Sequence, residues 1–360
     1  MNLAGRLRAL IGQSGPLPLS RFMADAVAEY YATREPFGAK GDFTTAPEIS
    51  QMFGEMLGLW AVDTWTRLGR PRPCALVELG PGRGTLMADL LRAGRVEPGF
   101  HEAVAVHLVE TSAGLRARQR AALAGCGKTL TFADRLGEVP DMPFLLLANE
   151  FFDALPIRQF QKVGAEWRER LVGLDAAGQF AFQLAPGPPE LAGLLALEQR
   201  DAPPGSVVEI GLPARAIGAE IAERALRHPG AALVIDYGAP VAGLGDTLQA
   251  LRRHAHVPPL HDPGEADLTA HVDFAAIAAA ARGAGARVFG PLAQGEFLGR
   301  LGIRLRAARL KAAASPPQAT EIDQALERLT APAAMGSLFQ CLCIASPALD
   351  EIAPFDPADP

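Results

Sequence analysis

Cys74-Ala75-Leu76-Val77-Glu78-Leu79-Gly80-Pro81-Gly82-Arg83-Gly84 passes from an apolar run into a turn with glycine at alternate positions. The apolar part reads as a short buried strand, and the residues after Gly84, centred on Leu86–Leu91, read as a helix. Glycines so placed let the backbone bend sharply and approach a ligand closely. Such a turn presents the ligand at the strand ends, near a helix N-terminus. A tight strand-to-helix turn without a ligand has the same local pattern, so the neighbours must decide.

The segments around it continue the alternation. Ala105–Val109 is a second strand, with Thr111 or Ser112 as cap of the helix that follows. Thr129–Phe132 and Phe144–Ala148 are a third and a fourth, and Ala231–Ile235 another, each a short apolar run. Strands of this kind, separated by helices, imply a parallel sheet buried on both faces. Ser337–Ala345 is expected as an antiparallel edge strand. Residues 157–185, broken by Gly164, Gly173 and Gly178, suggest a β-rich insertion, and residues 239–272 look loop-like. Upstream, Ile49, Met52, Phe53, Met56, Leu57 and Trp60 recur at helical spacing, and Thr45 with Glu48 has the spacing of a capping box. The expected organisation is an N-terminal helical lid with its connecting helix over 1–70. A Rossmann-like α/β domain then fills 71–360, with insertions at about 157–205 and 239–272.

Charge narrows the partners. The 360 residues carry 34 Lys and Arg against 40 Asp and Glu, a net charge of −6, which disfavours a large nucleic-acid footprint. Four scattered cysteines fit a reducing compartment, with Cys341 and Cys343 as core thiols. No secretory h-region and no run of about 18 apolar residues is evident, so the chain reads as cytoplasmic and without membrane insertion. His254, His256, His261 and His271 invite a metal reading, but His254-x-His256 lacks a third ligand at helical spacing, so they read as loop histidines and no metal is expected.

Two features turn the glycine motif toward a particular cofactor. Glu110 ends the second strand, where a carboxylate can accept hydrogen bonds from both hydroxyls of a ribose. The spacing is Gly-x-Gly-x-Gly rather than the Gly-x-Gly-x-x-Gly that suits a pyrophosphate. S-adenosylmethionine (SAM) has a ribose and no phosphate, and Glu78 is placed to hold its ammonium group. A nicotinamide-dependent oxidoreductase is the rival disfavoured by the glycine spacing. A non-catalytic binding module on the same fold is a second rival.

The chain resembles the MidA family of class I SAM-dependent methyltransferases. The resemblance is carried by Gly41–Ser50, Glu78–Gly84, His107–Glu110, Asn149–Pro156, Asp236–Gly238, Asp267–Phe274 and Met335–Gly336, in family order. It implies a protein arginine ω-N (symmetric) methyltransferase whose acceptor is a subunit of respiratory complex I, or else an assembly factor for that complex. The cofactor residues expected are Glu78, Gly80, Pro81, Gly82, Gly84, Glu110 and Asn149, with Asp42 and Thr44 closing over SAM. Glu150 and Asp153 are the catalytic candidates, because paired carboxylate hydrogen bonds grip a guanidinium. Helix capping by Glu150 and a plain loop acid at Asp153 are the competing readings. Asp267, Thr269 and Asp273 are expected as structural or substrate-side polar residues, with capping the simplest role for Asp273. The segment before Glu29-Tyr30-Tyr31 is a few residues shorter than in the family, which implies an altered lid.

Overall fold

A computed structural model describes residues 1–33, 45–241 and 243–356. The contacts divide the chain into two units. One comprises residues 44–151, 217–240 and 277–360, and the other residues 1–43, 152–216 and 241–276.

The first unit is built on seven strands. They are β1 (Cys74–Leu79), β2 (Val104–Val109), β3 (Leu130–Ala133), β4 (Phe144–Asn149), β5 (Gly230–Ala239), β6 (Arg287–Ala293) and β7 (Phe339–Ala345), hydrogen-bonded in the order β6-β7-β5-β4-β1-β2-β3. From β5 through β3 all pairings are parallel. Every residue of β1 and of β4 is buried, as the unbroken apolar runs imply. β7 is antiparallel to both β5 and β6, and so lies inside the sheet. The expectation of an edge position for it fails because β6 went unread: Arg287–Ala293 carries Gly290 and Pro291, which disguise a strand. Cys341 and Cys343 are fully buried on β7, and burial pushes both thiols well above their ordinary range.

Helix α1 (Gln51–Arg67) buries Met52, Phe53, Met56, Leu57, Trp60 and Trp65 in the same core as the sheet. It lies against α2 (Thr85–Gly94) so closely that a Cβ on Gly58 would stand 2.7 Å from the carbonyl oxygen of Leu90. Its buried Glu55 accepts hydrogen bonds from Arg92 at 3.2 Å and from Arg306 at 2.7 and 2.8 Å. The contacts therefore group this helix with the parallel sheet, whereas the sequence placed it with the N-terminal helices.

The second unit gathers what looked like separate additions. Its helices Leu3–Ser14 and Leu19–Thr33 bury Leu3, Leu7, Ile11, Phe22 and Met23 in one core with Val172, Leu248 and Leu268. Strands Arg158–Val163, Glu166–Leu174, Phe180–Pro186 and Val207–Ile210 form an antiparallel sheet with Leu17–Pro18. Residues 239–272 are not all loop: Gln249–Arg252, Ala255–Val257 and Asp267–Thr269 make a small three-stranded sheet. Among the described residues no helix is long and apolar enough to cross a membrane.

Candidate active site

The turn after β1 is shaped by its glycines. Gly80, Gly82 and Gly84 have φ of 61°, 53° and 85°, in the left-handed region that costs a side-chain-bearing residue about 1–2 kcal/mol. Buried Pro81 closes the turn by accepting from the Gly84 amide at 2.8 Å, and the Gly80 amide donates to Val109 at the end of β2. A Cβ on Gly80 would meet the Phe151 ring at 2.9 Å. The turn after β1 thus abuts the turn after β4, as the parallel register Leu79↔Ala148 requires.

Glu78 precedes this turn and is 3% exposed. Its Oε2 has no hydrogen-bond partner among the described residues. Burial pushes its carboxyl up to about 8, because nothing there repays the desolvation of a negative charge. An ammonium group is the chemistry that would satisfy it.

Glu110 sits at the end of β2, buried, with Oε1 accepting from the Ser112 amide at 2.8 Å. Burial raises its carboxyl, while donors from Ser112, Gln119 and Thr111 and the charge of Arg116 offset part of the rise. Arg116 donates to the Glu110 carbonyl at 2.6 Å and to the Ala133 carbonyl at 3.0 Å, tying the ends of β2 and β3 together. Ser112 caps helix α3 (Ala113–Ala122), accepting from the Leu115 amide as its position suggested.

After β4, Asn149 is buried and its Oδ1 lacks a partner among the described residues. Glu150 adopts φ 49°, unusual for a residue with a side chain. Its Oε1 accepts from the Ala46 amide at 3.0 Å and from Asn149 Nδ2 at 3.2 Å. Glu150 therefore does cap a helix, the short turn Ala46–Ile49, from more than a hundred residues away in sequence. The Phe151 amide donates to Asp236 within β5.

The capping box expected of Thr45 and Glu48 does not form: Thr45 makes no side-chain cap bond. The helix breaks at Ser50, whose φ of −161° is extended, and Ser50 caps α1 instead. Glu48 turns away and accepts from Thr85 Oγ1 and, at 3.4 Å, from Arg83, both in or next to the glycine turn. Asp153 and the Asp267–Asp273 segment belong to the second unit. Asp153 is buried there, with its carbonyl accepting from the Ala270 amide. Asp267 and Thr269 are also buried, and Asp273 caps the next helix through the Ala276 amide. Tyr237 packs edge-on against Phe339. Asp42 and Thr44 lie outside the described residues.

Two residues of this site escaped the sequence reading, Glu48 as a tie and Gln119. Gln119 is wholly buried, and its Nε2 donates both to the Gly82 carbonyl at 2.8 Å and to Glu110 Oε2 at 3.2 Å. The one available signal was an uncharged amide within the arginine-rich run Leu115–Arg120.

Residues 56–292 match the family described as "Putative S-adenosyl-L-methionine-dependent methyltransferase". The chain belongs to this family. The methyltransferase is 36% identical to the Drosophila melanogaster homolog of the mitochondrial protein arginine methyltransferase NDUFAF7, over 95% of this chain and 84% of that protein. It is also 36% identical to the human mitochondrial protein arginine methyltransferase NDUFAF7, over 91% of this chain and 80% of that one. A crystal structure from Burkholderia thailandensis, bound to S-adenosylhomocysteine (SAH), superposes with a TM-score of 0.84 at 31% identity. The match covers 98% of this chain and 95% of that one. The enzyme is a SAM-dependent methyltransferase on a mixed α/β sheet, and its cofactor is SAM. The cytoplasmic expectation is corrected: these relatives are named as mitochondrial proteins.

Proposed function

We propose that the methyltransferase modifies arginine side chains of a protein, holding SAM between the glycine turn, Glu78, Glu110 and Asn149. Two buried acceptors without a partner among the described residues support this placement, Glu78 Oε2 and Asn149 Oδ1, which match the donor-rich amino-acid and nucleoside parts of SAM. SAM supplies an electrophilic methyl on sulfur; the protein aligns a nucleophile behind it.

The observation that carries the arginine reading is Glu150. It leaves β4 beside the glycine turn in strained left-handed backbone, with its carboxylate fixed by two donors. A fixed carboxylate orients a guanidinium and draws positive charge from the attacking nitrogen. An arginine stays protonated until transfer, since its pKa exceeds about 12. The relatives are named protein arginine methyltransferases, and the family resemblance adds the acceptor: a subunit of respiratory complex I, dimethylated symmetrically.

The test is incubation of the protein with methyl-labelled SAM and an extract of cells lacking it. Label is expected on an arginine of one protein band, identified after digestion. Label confined to lysine or to small molecules would overturn the arginine reading. Saturable SAM binding with no label anywhere would favour the non-catalytic assembly factor.

A further inference from the structure

Gln119 has a geometry that plain packing does not require. The residues to either side of it, Arg118 and Arg120, are charged, yet Gln119 is 0% exposed. Both of its Nε2 contacts, the Gly82 carbonyl and the Glu110 carboxylate, are acceptors, so the orientation of the amide is dictated. In that orientation Oε1 is buried without a partner among the described residues. A buried unsatisfied acceptor carries a desolvation penalty that leucine or methionine at this position would avoid. The backbone is fitted to the same contact. A Cβ on Gly84 would stand 3.3 Å from Gln119 Cα, so α3 presses directly on the glycine turn.

We propose that Gln119 is a positioning residue that sets the spacing between the glycine turn and the Glu110 carboxylate, and through it the affinity for the adenosine part of the cofactor. The proposal rests on reading Glu110 as the ribose acceptor. One amide bridges the two elements: one N–H holds the Gly82 carbonyl and the other holds Oε2 of the acid. Without it the carboxylate loses one of its donors and is free to rotate, and the turn loses its link to α3. The sulfur and the methyl acceptor are not its business. Cofactor affinity should change and turnover at saturation should not.

The experiment compares the full chain with Gln119→Met, which keeps an unbranched side chain of similar length. SAH affinity is read by calorimetry, and KM for SAM and kcat are read with the protein band that the labelling experiment identifies. Gln119→Met is expected to weaken SAH binding and raise KM about tenfold, with kcat within about twofold. In a Glu110→Gln background the same change should cost about threefold or less, because the arm through the carboxylate is already lost. Gln119→Glu, equal in shape but without the amide donors, should weaken SAH at pH 8 at least as much as Met does, which covers the case of a poorly folding Met variant. Equal losses in both backgrounds together with a lowered melting temperature would mean a merely structural role and overturn the proposal. So would unchanged SAH affinity, or a fall in kcat at constant KM. A wild-type chain that binds no SAH would remove the site reading itself. A wild type that binds SAH, with Gln119→Met unaffected, would remove only the proposal.

Discussion

The turns after β1 and β4 stand side by side and are built on opposite plans. The first has three glycines in left-handed backbone and a buried carboxylate, Glu78, with an oxygen unsatisfied among the described residues. The second puts a glutamate, not a glycine, in left-handed backbone and holds its carboxylate with two donors. Removing side chains lets a backbone come close to a ligand. Holding an acid on strained backbone with a distant amide and a neighbouring side chain yields a group that keeps its orientation. On the reading proposed above, the first turn receives the cofactor and the second aligns the acceptor.

The comparison breaks if variants of the two turns behave alike. Gly82→Val places a β-branched residue at φ 53°, where it is an outlier, and fills the face of the turn. SAH binding should fall by more than about a hundredfold in calorimetry, while far-ultraviolet circular dichroism stays that of the wild type. Glu150→Gln should do the reverse. It keeps an acceptor for the Ala46 amide, so SAH affinity should hold within about threefold while kcat drops on the order of a hundredfold. Loss of SAH binding in Glu150→Gln would merge the two turns into one cofactor-binding device.

Glu78 sharpens the contrast through pH. Its carboxyl is pushed up to about 8 by burial, so in the free protein it is mostly neutral at pH 7. An ammonium beside it favours the ionised form, and binding then releases a proton. SAH affinity should rise by about tenfold between pH 6 and 7 and less steeply from pH 7 to 8. Titrations in two buffers of different ionisation heat would count the proton, and Glu78→Gln should flatten the slope. A slope already flat in the wild type would refute the ammonium role. The smallest effect belongs to Glu48→Ala, which unties Thr85 and Arg83 from the helix Ala46–Ile49. About three- to tenfold weaker SAH binding is expected, with kcat little changed.

What the residues alone revealed follows the range of the interactions. Buried parallel strands are apolar on both faces, so β1, β2, β4 and β5 stand out as runs, and the glycine turn announces itself locally. Long-range partnerships do not. Thr45 and Glu48 have capping spacing, but the chain bends at Ser50 and a threonine after the glycine turn takes the acid. Glu150 caps Ala46 from a distant stretch of the chain, which no window on either segment contains. Gln119 looks like one polar residue in a charged helix until the helix is seen against the turn. The N-terminal helices and both insertions appeared as three additions because their shared core, Leu7 and Phe22 with Val172 and Leu268, is assembled from distant stretches.

The interior position of β7 has a consequence for biogenesis. Translation delivers β5 and β6 first, and their common neighbour emerges from the ribosome about fifty residues after β6. Until Phe339–Ala345 is available, each of those strands presents an open hydrogen-bonding edge, the kind of surface that pairs with other chains. A ribosome that stalls before residue 339 releases a chain in which β6 lacks its sheet neighbour and β5 keeps an open edge.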